Sequence, residues 1–267
     1  MGKTKQKNKT SLPRPQKDIE YFKLGREQLK KLNTEGAIKY YSKAIKLNPY
    51  FIEAYHERAF GYFVEQEYIK AMKDLNKIIE IDSRNTNAYM FRGFIHYIFR
   101  RYNKAISDFN MAEKLDPNNT NLYYRRGAAY YKQGNYKKAI MDYSKFIESD
   151  NHSSHGYFLR GNSFFEDGKY EDAKKDYKKI IELDSKFIEA YIGLGKSNIC
   201  LKNYKEAVDN FRKAIQVDRN NSKAYTLRGI AYLESGNFKK ACENWQTAYS
   251  LGDEEGRELL LKYCMKN

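Results

Sequence analysis

Long hydrophobic runs are missing from this 267-residue chain. No apolar stretch approaches the roughly 18 residues that a bilayer-spanning helix needs. The opening MGKTKQKNKTSLPRPQKD is basic but has no apolar centre, which predicts no secretory leader. Gln6 stands where a myristoylation motif wants Ser or Thr. Four prolines and sixteen glycines are too few for a collagen-like or low-complexity chain. The three cysteines, Cys200, Cys242 and Cys264, are odd in number and form no CxxC pair. They read as reduced packing residues of a cytoplasmic protein rather than a disulfide framework. Also absent are a glycine-rich phosphate loop, a nucleophile elbow and HExxH, so nothing predicts an enzyme or a cofactor. His152 and His155 form an HxxH in a loop without a nearby carboxylate or cysteine, which reads as a polar turn and not a metal site.

What the chain does have is a period. Ala37, Ala71, Ala105, Ala139, Ala173, Ala207 and Ala241 lie 34 residues apart, and so do Tyr21, Tyr55, Tyr89, Tyr123, Tyr157, Tyr191 and Tyr225. Four residues after each tyrosine stands a small residue: Gly25, Ala59, Gly93, Gly127, Gly161, Gly195 or Gly229. No insertion breaks the register, so seven repeats span 18–51, 52–85, 86–119, 120–153, 154–187, 188–221 and 222–255.

Within a repeat the apolar residues step by three and four, as in Ala139, Tyr143, Phe146 and Ile147, which predicts two helices. Gly134, Gly168 and Gly236 fall between them, where a helix ends in a left-handed residue. Asn119, Thr120, Asn221 and Ser222 precede first helices and can accept their free N–H groups. Small residues at fixed places imply close helix–helix approach, with aromatics filling the flanks. One such hairpin cannot bury both faces, so neighbours must stack. After Glu255, Leu259, Leu260, Tyr263 and Cys264 at helical spacing predict a capping helix over 256–267. Residues 1–17, with Pro13, Pro15 and a cluster of basic side chains, predict a disordered basic arm.

These residues resemble the tetratricopeptide repeat. Its pattern of an aromatic, Leu-Gly, Ala, an aromatic, Ala and Pro is matched by Tyr21, Leu24, Gly25, Ala37, Tyr41, Ala44 and Pro49, and again by Tyr89, Gly93, Ala105, Phe109, Ala112 and Pro117. The match covers about nine-tenths of the chain by the seven-repeat register. Departures are local: Ser83, Asn151, Ser185, Arg219 and Asp253 replace Pro, and Ile78, Phe146 and Ile180 replace Ala. The resemblance implies an all-α, right-handed superhelical solenoid of seven helix-turn-helix units, with first helices lining a concave face and second helices the convex side.

Carried onto this sequence, that geometry places Phe22, Phe60, Phe63, Phe94, Tyr97, Tyr124, Tyr131, Phe158 and Phe165 on the concave face, with His56, Met90, Asn162 and Lys132. Such an aromatic trough suits a partner peptide or protein, anchoring its apolar side chains. The expected function is therefore a protein–protein interaction scaffold or adaptor. Some relatives carry a carboxylate clamp for acidic chaperone tails. Here its best trace is Asn162 and Lys223, with Phe158, Gly193 and Leu227 at the other places, which argues against that partner.

Two further patterns are periodic. Arg58, Arg92, Arg126 and Arg160 share one place in the first helix, and Asp74, Asp108, Asp142 and Asp176 share one in the second. Repeats one and six lack both, with Leu24 and Tyr40 or Leu194 and Asn210 instead, so co-occurrence predicts a structural ion-pair ladder. Arg228 shares the arginine place in repeat seven. The net charge of +15 is concentrated on outward places of the second helices and in the N-terminal arm. An alternative function is thus an adaptor that holds nucleic acid or another polyanion, or an anionic surface, without sequence specificity.

Overall fold

The computed structural model describes residues 17–265, and these form fifteen α-helices and no strand. Of the arm expected over residues 1–17, residues 1–16 lie outside the described residues, as do Lys266 and Asn267 of the cap, whereas Lys17 opens the first helix instead of belonging to an arm. The chain divides into two compact bodies between Asn118 and Asn119, a boundary within one residue of the junction between repeats three and four.

The first body holds α1 (Lys17–Lys30), α2 (Thr34–Leu47), α3 (Ile52–Val64), α4 (Tyr68–Ile81), α5 (Thr86–Ile98) and α6 (Tyr102–Leu115). The second holds α7 (Thr120–Lys132), α8 (Tyr136–Ser149), α9 (Ser154–Glu166), α10 (Tyr170–Leu183), α11 (Ile188–Cys200), α12 (Tyr204–Val217), α13 (Ser222–Glu234), α14 (Phe238–Ser250) and the short α15 (Glu254–Tyr263). Consecutive helices pair as hairpins, and within each body the second helix of one hairpin packs on the first helix of the next. Within a body, each repeat thereby covers a face that its neighbour leaves open.

Side chains 16 residues apart, equidistant from the turn, face each other across each hairpin, as antiparallel helices require. The small residue is the closest point. A Cβ added at Gly127 would stand 2.8 Å from Tyr143 Cε1, and one at Gly93 2.8 Å from Phe109 Cε1. In repeat two Ala59 replaces the glycine and Leu75 replaces the ring, both fully buried, so the extra methyl is matched by a thinner neighbour.

The turn is uniform although its sequence is not. Gly134, Gly168 and Gly236 have φ of 76°, 76° and 80°, and Leu32, Gln66, Arg100 and Lys202, at the same place in other repeats, have φ of 57°, 59°, 56° and 61°. The residue after each turn donates its N–H back to the first helix, as in Asn135 N to Tyr130 O at 2.9 Å and Glu67 N to Tyr62 O at 2.7 Å. This is a Schellman-type ending that needs a left-handed residue whatever its side chain. Caps vary similarly: Asn221 accepts from Ala224 N at 3.0 Å, whereas the Asn119 side chain caps nothing.

The cysteines correct the sequence-based expectation. Cys242 on α14 and Cys264 at the end of α15 form a disulfide, their Cα atoms 5.9 Å apart, and only Cys200 is free and exposed. No short motif is needed, because α15 folds back on α14 and brings two residues 22 apart within bridging range. Leu260 is buried there against Ala241 and Trp245, and the Trp245 and Tyr263 rings meet at 5.6 Å.

Candidate partner-binding face

The aromatic places of the first helices are built by a repeating ring pair. Phe63 meets Tyr68 at 5.4 Å, Tyr97 meets Tyr102 at 5.7 Å, Tyr131 meets Tyr136 at 5.5 Å and Phe165 meets Tyr170 at 5.3 Å, three of them edge-to-face. Each pair closes across the turn between a first helix and the first residue of its second helix. Sequence reasoning named the first ring of each pair and missed the second. Tyr68, Tyr102, Tyr136, Tyr170 and Tyr204 also recur every 34 residues, and that signal was available.

In the first body, Phe63 also meets Phe91 and Phe94, at 5.4 and 5.8 Å. Phe60 beside them is exposed at 46%. Phe22 is held between Tyr41 and Phe51, and His56 leans on Phe91. In the second body, Tyr124 meets Phe146 and His155, with its hydroxyl 3.4 Å from His155 Nε2. Phe158 meets Phe187 at 5.5 Å, and Lys196 Nζ lies 4.6 Å from the Phe165 ring centre. Asn162 Oδ1 accepts from the Tyr177 hydroxyl at 2.7 Å, so its carbonyl is engaged within the protein. Burial first, then Glu166 and Tyr136, pushes the Tyr131 hydroxyl up and keeps it a neutral donor. Apart from Phe60, the aromatics expected on this face are half-buried, whereas Tyr41 behind Phe22 is fully buried and His155 is exposed.

Between the helices of a hairpin run the arginine forks. Arg58 Nε and Nη2 donate to Asp74 at 2.8 and 2.7 Å, Arg92 to Asp108 at 2.9 and 2.6 Å, Arg126 to Asp142 at 2.8 Å twice, and Arg160 to Asp176 at 2.8 and 2.7 Å. The remaining arm reaches the preceding repeat: Arg58 Nη1 donates to Ser42 Oγ at 3.0 Å, Arg92 Nη1 to Asn76 Oδ1 at 2.7 Å and Arg160 Nη1 to Ser144 Oγ at 3.1 Å. These acceptors were not picked out in the sequence, though they too share one place in the period. The tyrosine that recurs in every repeat supplies the platform. Arg58, Arg92, Arg126, Arg160 and Arg228 lie 5.2–5.6 Å from the ring centres of Tyr55, Tyr89, Tyr123, Tyr157 and Tyr225. Burial pushes the Asp74 and Asp176 carboxyls up, and the paired guanidinium offsets part of that rise.

Repeat seven differs. Its aspartate place holds Asn244, whose Oδ1 accepts from Arg228 Nε at 2.7 Å while its Nδ2 donates to Lys240 O at 2.7 Å. Lys223, the trace of a clamp, is paired with Glu255.

The fold has counterparts among known proteins. Family profiles described as tetratricopeptide repeat match residues 21–51 and 210–243, and one described as TPR repeat matches 101–134. The chain carries tetratricopeptide repeats. A profile described as anaphase-promoting complex, cyclosome, subunit 3 matches residues 133–214. Among solved structures, MamA is 25% identical over 68% of this chain and 97% of its own, with a TM-score of 0.58. The C-terminal part of a TPR repeat-containing protein from Cytophaga hutchinsonii is 19% identical, covering 89% of this chain and 98% of its own, with a TM-score of 0.76. YrrB, described as a TPR protein with an unusual peptide-binding site, is 22% identical over 69% of this chain and 95% of its own, with a TM-score of 0.63. A search of curated protein sequences finds no match. No described helix is long and apolar enough to cross a membrane.

Proposed function

We propose that this tetratricopeptide-repeat protein is a protein-interaction scaffold whose first helices hold a partner's peptide against their aromatic face. The observation that carries the reading is the ring pair repeated at one place in four consecutive repeats, with Phe60 exposed beside it. Rings fixed by one another lose little freedom on binding, so burying their free edges under apolar side chains is cheap in entropy. Asn162 Nδ2 and the tyrosine hydroxyls can bond a peptide backbone. The arginine–aspartate pairs belong to the frame beneath that face, and no catalytic role is assigned to them. The peptide-binding site named for YrrB gives the same general direction.

Alanine at both Phe94 and Tyr131 tests this. A partner captured by the wild-type chain should lose about tenfold or more in affinity while helical circular dichroism is unchanged. Binding that survives this change but vanishes between about 50 and 200 mM salt would replace the reading with a polyanion adaptor. A cytoplasmic location is part of the proposal. It requires the Cys242–Cys264 pair to stand reduced there, which thiol trapping in cell extract measures.

A further inference from the structure

Among the described residues, four of the five arginines that share one place in the period are closed by a carboxylate, and one is not. In repeats two, three and five, Nε and Nη2 bond the aspartate and Nη1 bonds a serine or asparagine of the preceding repeat. In repeat seven, Arg228 gives only Nε to Asn244, and among the described residues no acceptor meets Nη1 or Nη2. At the place where Ser42, Asn76 or Ser144 accepts the third arm elsewhere, the preceding repeat carries Arg212. The neutral partner is thus replaced by a second cation, which is itself engaged by Asp209 at 2.6 Å.

We propose that Arg228, with Arg212 beside it, is a binding site for a carboxylate presented by an acidic segment of a partner protein. The two free Nη groups can take a carboxylate end-on, one oxygen to each, at the 2.6–2.9 Å that Nε and Nη2 keep to the aspartates elsewhere. Tyr225 holds the guanidinium from one side and Asn244 fixes Nε, so the two free arms are already oriented. Burial pushes the Arg228 guanidinium down from its ordinary value and Arg212 lowers it further, whereas the paired Arg58, Arg92 and Arg160 are raised. An arriving carboxylate would supply the compensation that an aspartate supplies in the other repeats. A lysine on the open second-helix surface offers nothing equivalent, because its charge is solvated and screened. The site is separate from the aromatic face and does not depend on it.

The test uses the full chain and a fluorescein-labelled peptide of ten glutamates, followed by anisotropy at about 150 mM salt. Asn244→Asp closes the fork internally, and Arg228→Leu copies the residue found at this place in repeats one and six. Each should weaken binding about tenfold, and Arg228→Lys should not restore it, because a point charge lacks the fork. Lys239→Gln, one exposed charge removed elsewhere on α14, should change it less than about twofold. Unchanged binding in Asn244→Asp, which keeps the fold, would overturn the proposal. So would an equal loss in Lys239→Gln, or displacement of the peptide by glutarate or inorganic phosphate at lower concentration than the peptide itself needs.

Discussion

At the scale of single residues, a buried ion pair and a buried histidine carry distinct consequences. Arg126 and Asp142 are 7% and 6% exposed, the most enclosed of the four fork pairs. Removing one partner strands a charge in a poorly solvated place, so Asp142→Ala should cost about 3–5 kcal/mol in chemical denaturation. The exposed pair of Asp172 and Lys175 is screened by solvent, so Asp172→Ala should leave the denaturation midpoint nearly unchanged. His96 is 7% exposed with Nδ1 unpaired. Burial lowers its pKa from the ordinary value, and Arg92, Lys104 and Arg101 act in the same direction against Asp108. A base whose folded pKa is depressed gives stability that is complete above its unfolded value near 6.5 and is lost as pH falls through the folded one. Stability measured between about pH 7 and 5 should therefore fall on acidification, with a shallower slope for His96→Tyr, the residue found at this place in repeats two, four and seven.

At the scale of the helix and its turn, backbone geometry is shared while sequence is not. The left-handed turn place holds glycine in three repeats, and Leu32, Gln66, Arg100 and Lys202 pay a conformational cost there. Gln66→Gly should stabilise the first body by roughly 1 kcal/mol, read from the denaturation midpoint at unchanged slope. The gain is limited because glycine also frees the unfolded chain. The sequence showed three of these turns through their glycines. The other four were legible only through the 34-residue register, because a side chain at that place hides the conformation that the Schellman bonds impose.

At the scale of the whole molecule, stability is a sum over neighbours rather than the property of one core. For repeat seven the neighbour is α15, which covers it through Leu260, Tyr263 and the Cys242–Cys264 bridge. Closing a loop of 22 residues is worth about 3 kcal/mol by chain entropy. Reduction, or Cys264→Ser, should raise hydrogen exchange in α15 and the facing part of α14 by on the order of a hundredfold, with α8 unchanged. Equal exchange in the two redox states would show that packing alone seats the cap.

The sequence by itself determined the helical hairpin, its period, its seven copies, and the places where glycine meets a ring or arginine can meet aspartate. Those properties are local or repeat at fixed spacing, and a side chain's place within the period names what it faces inside its own hairpin. Tertiary structure alone decided what lies between neighbouring repeats of a body and between α14 and α15. It settled the third arm of Arg58, Arg92 and Arg160, the ring that shields a neighbouring ring, and the meeting of Cys242 with Cys264. Such contacts join residues whose separation no short motif encodes, because they depend on the angle at which one hairpin leans on the next.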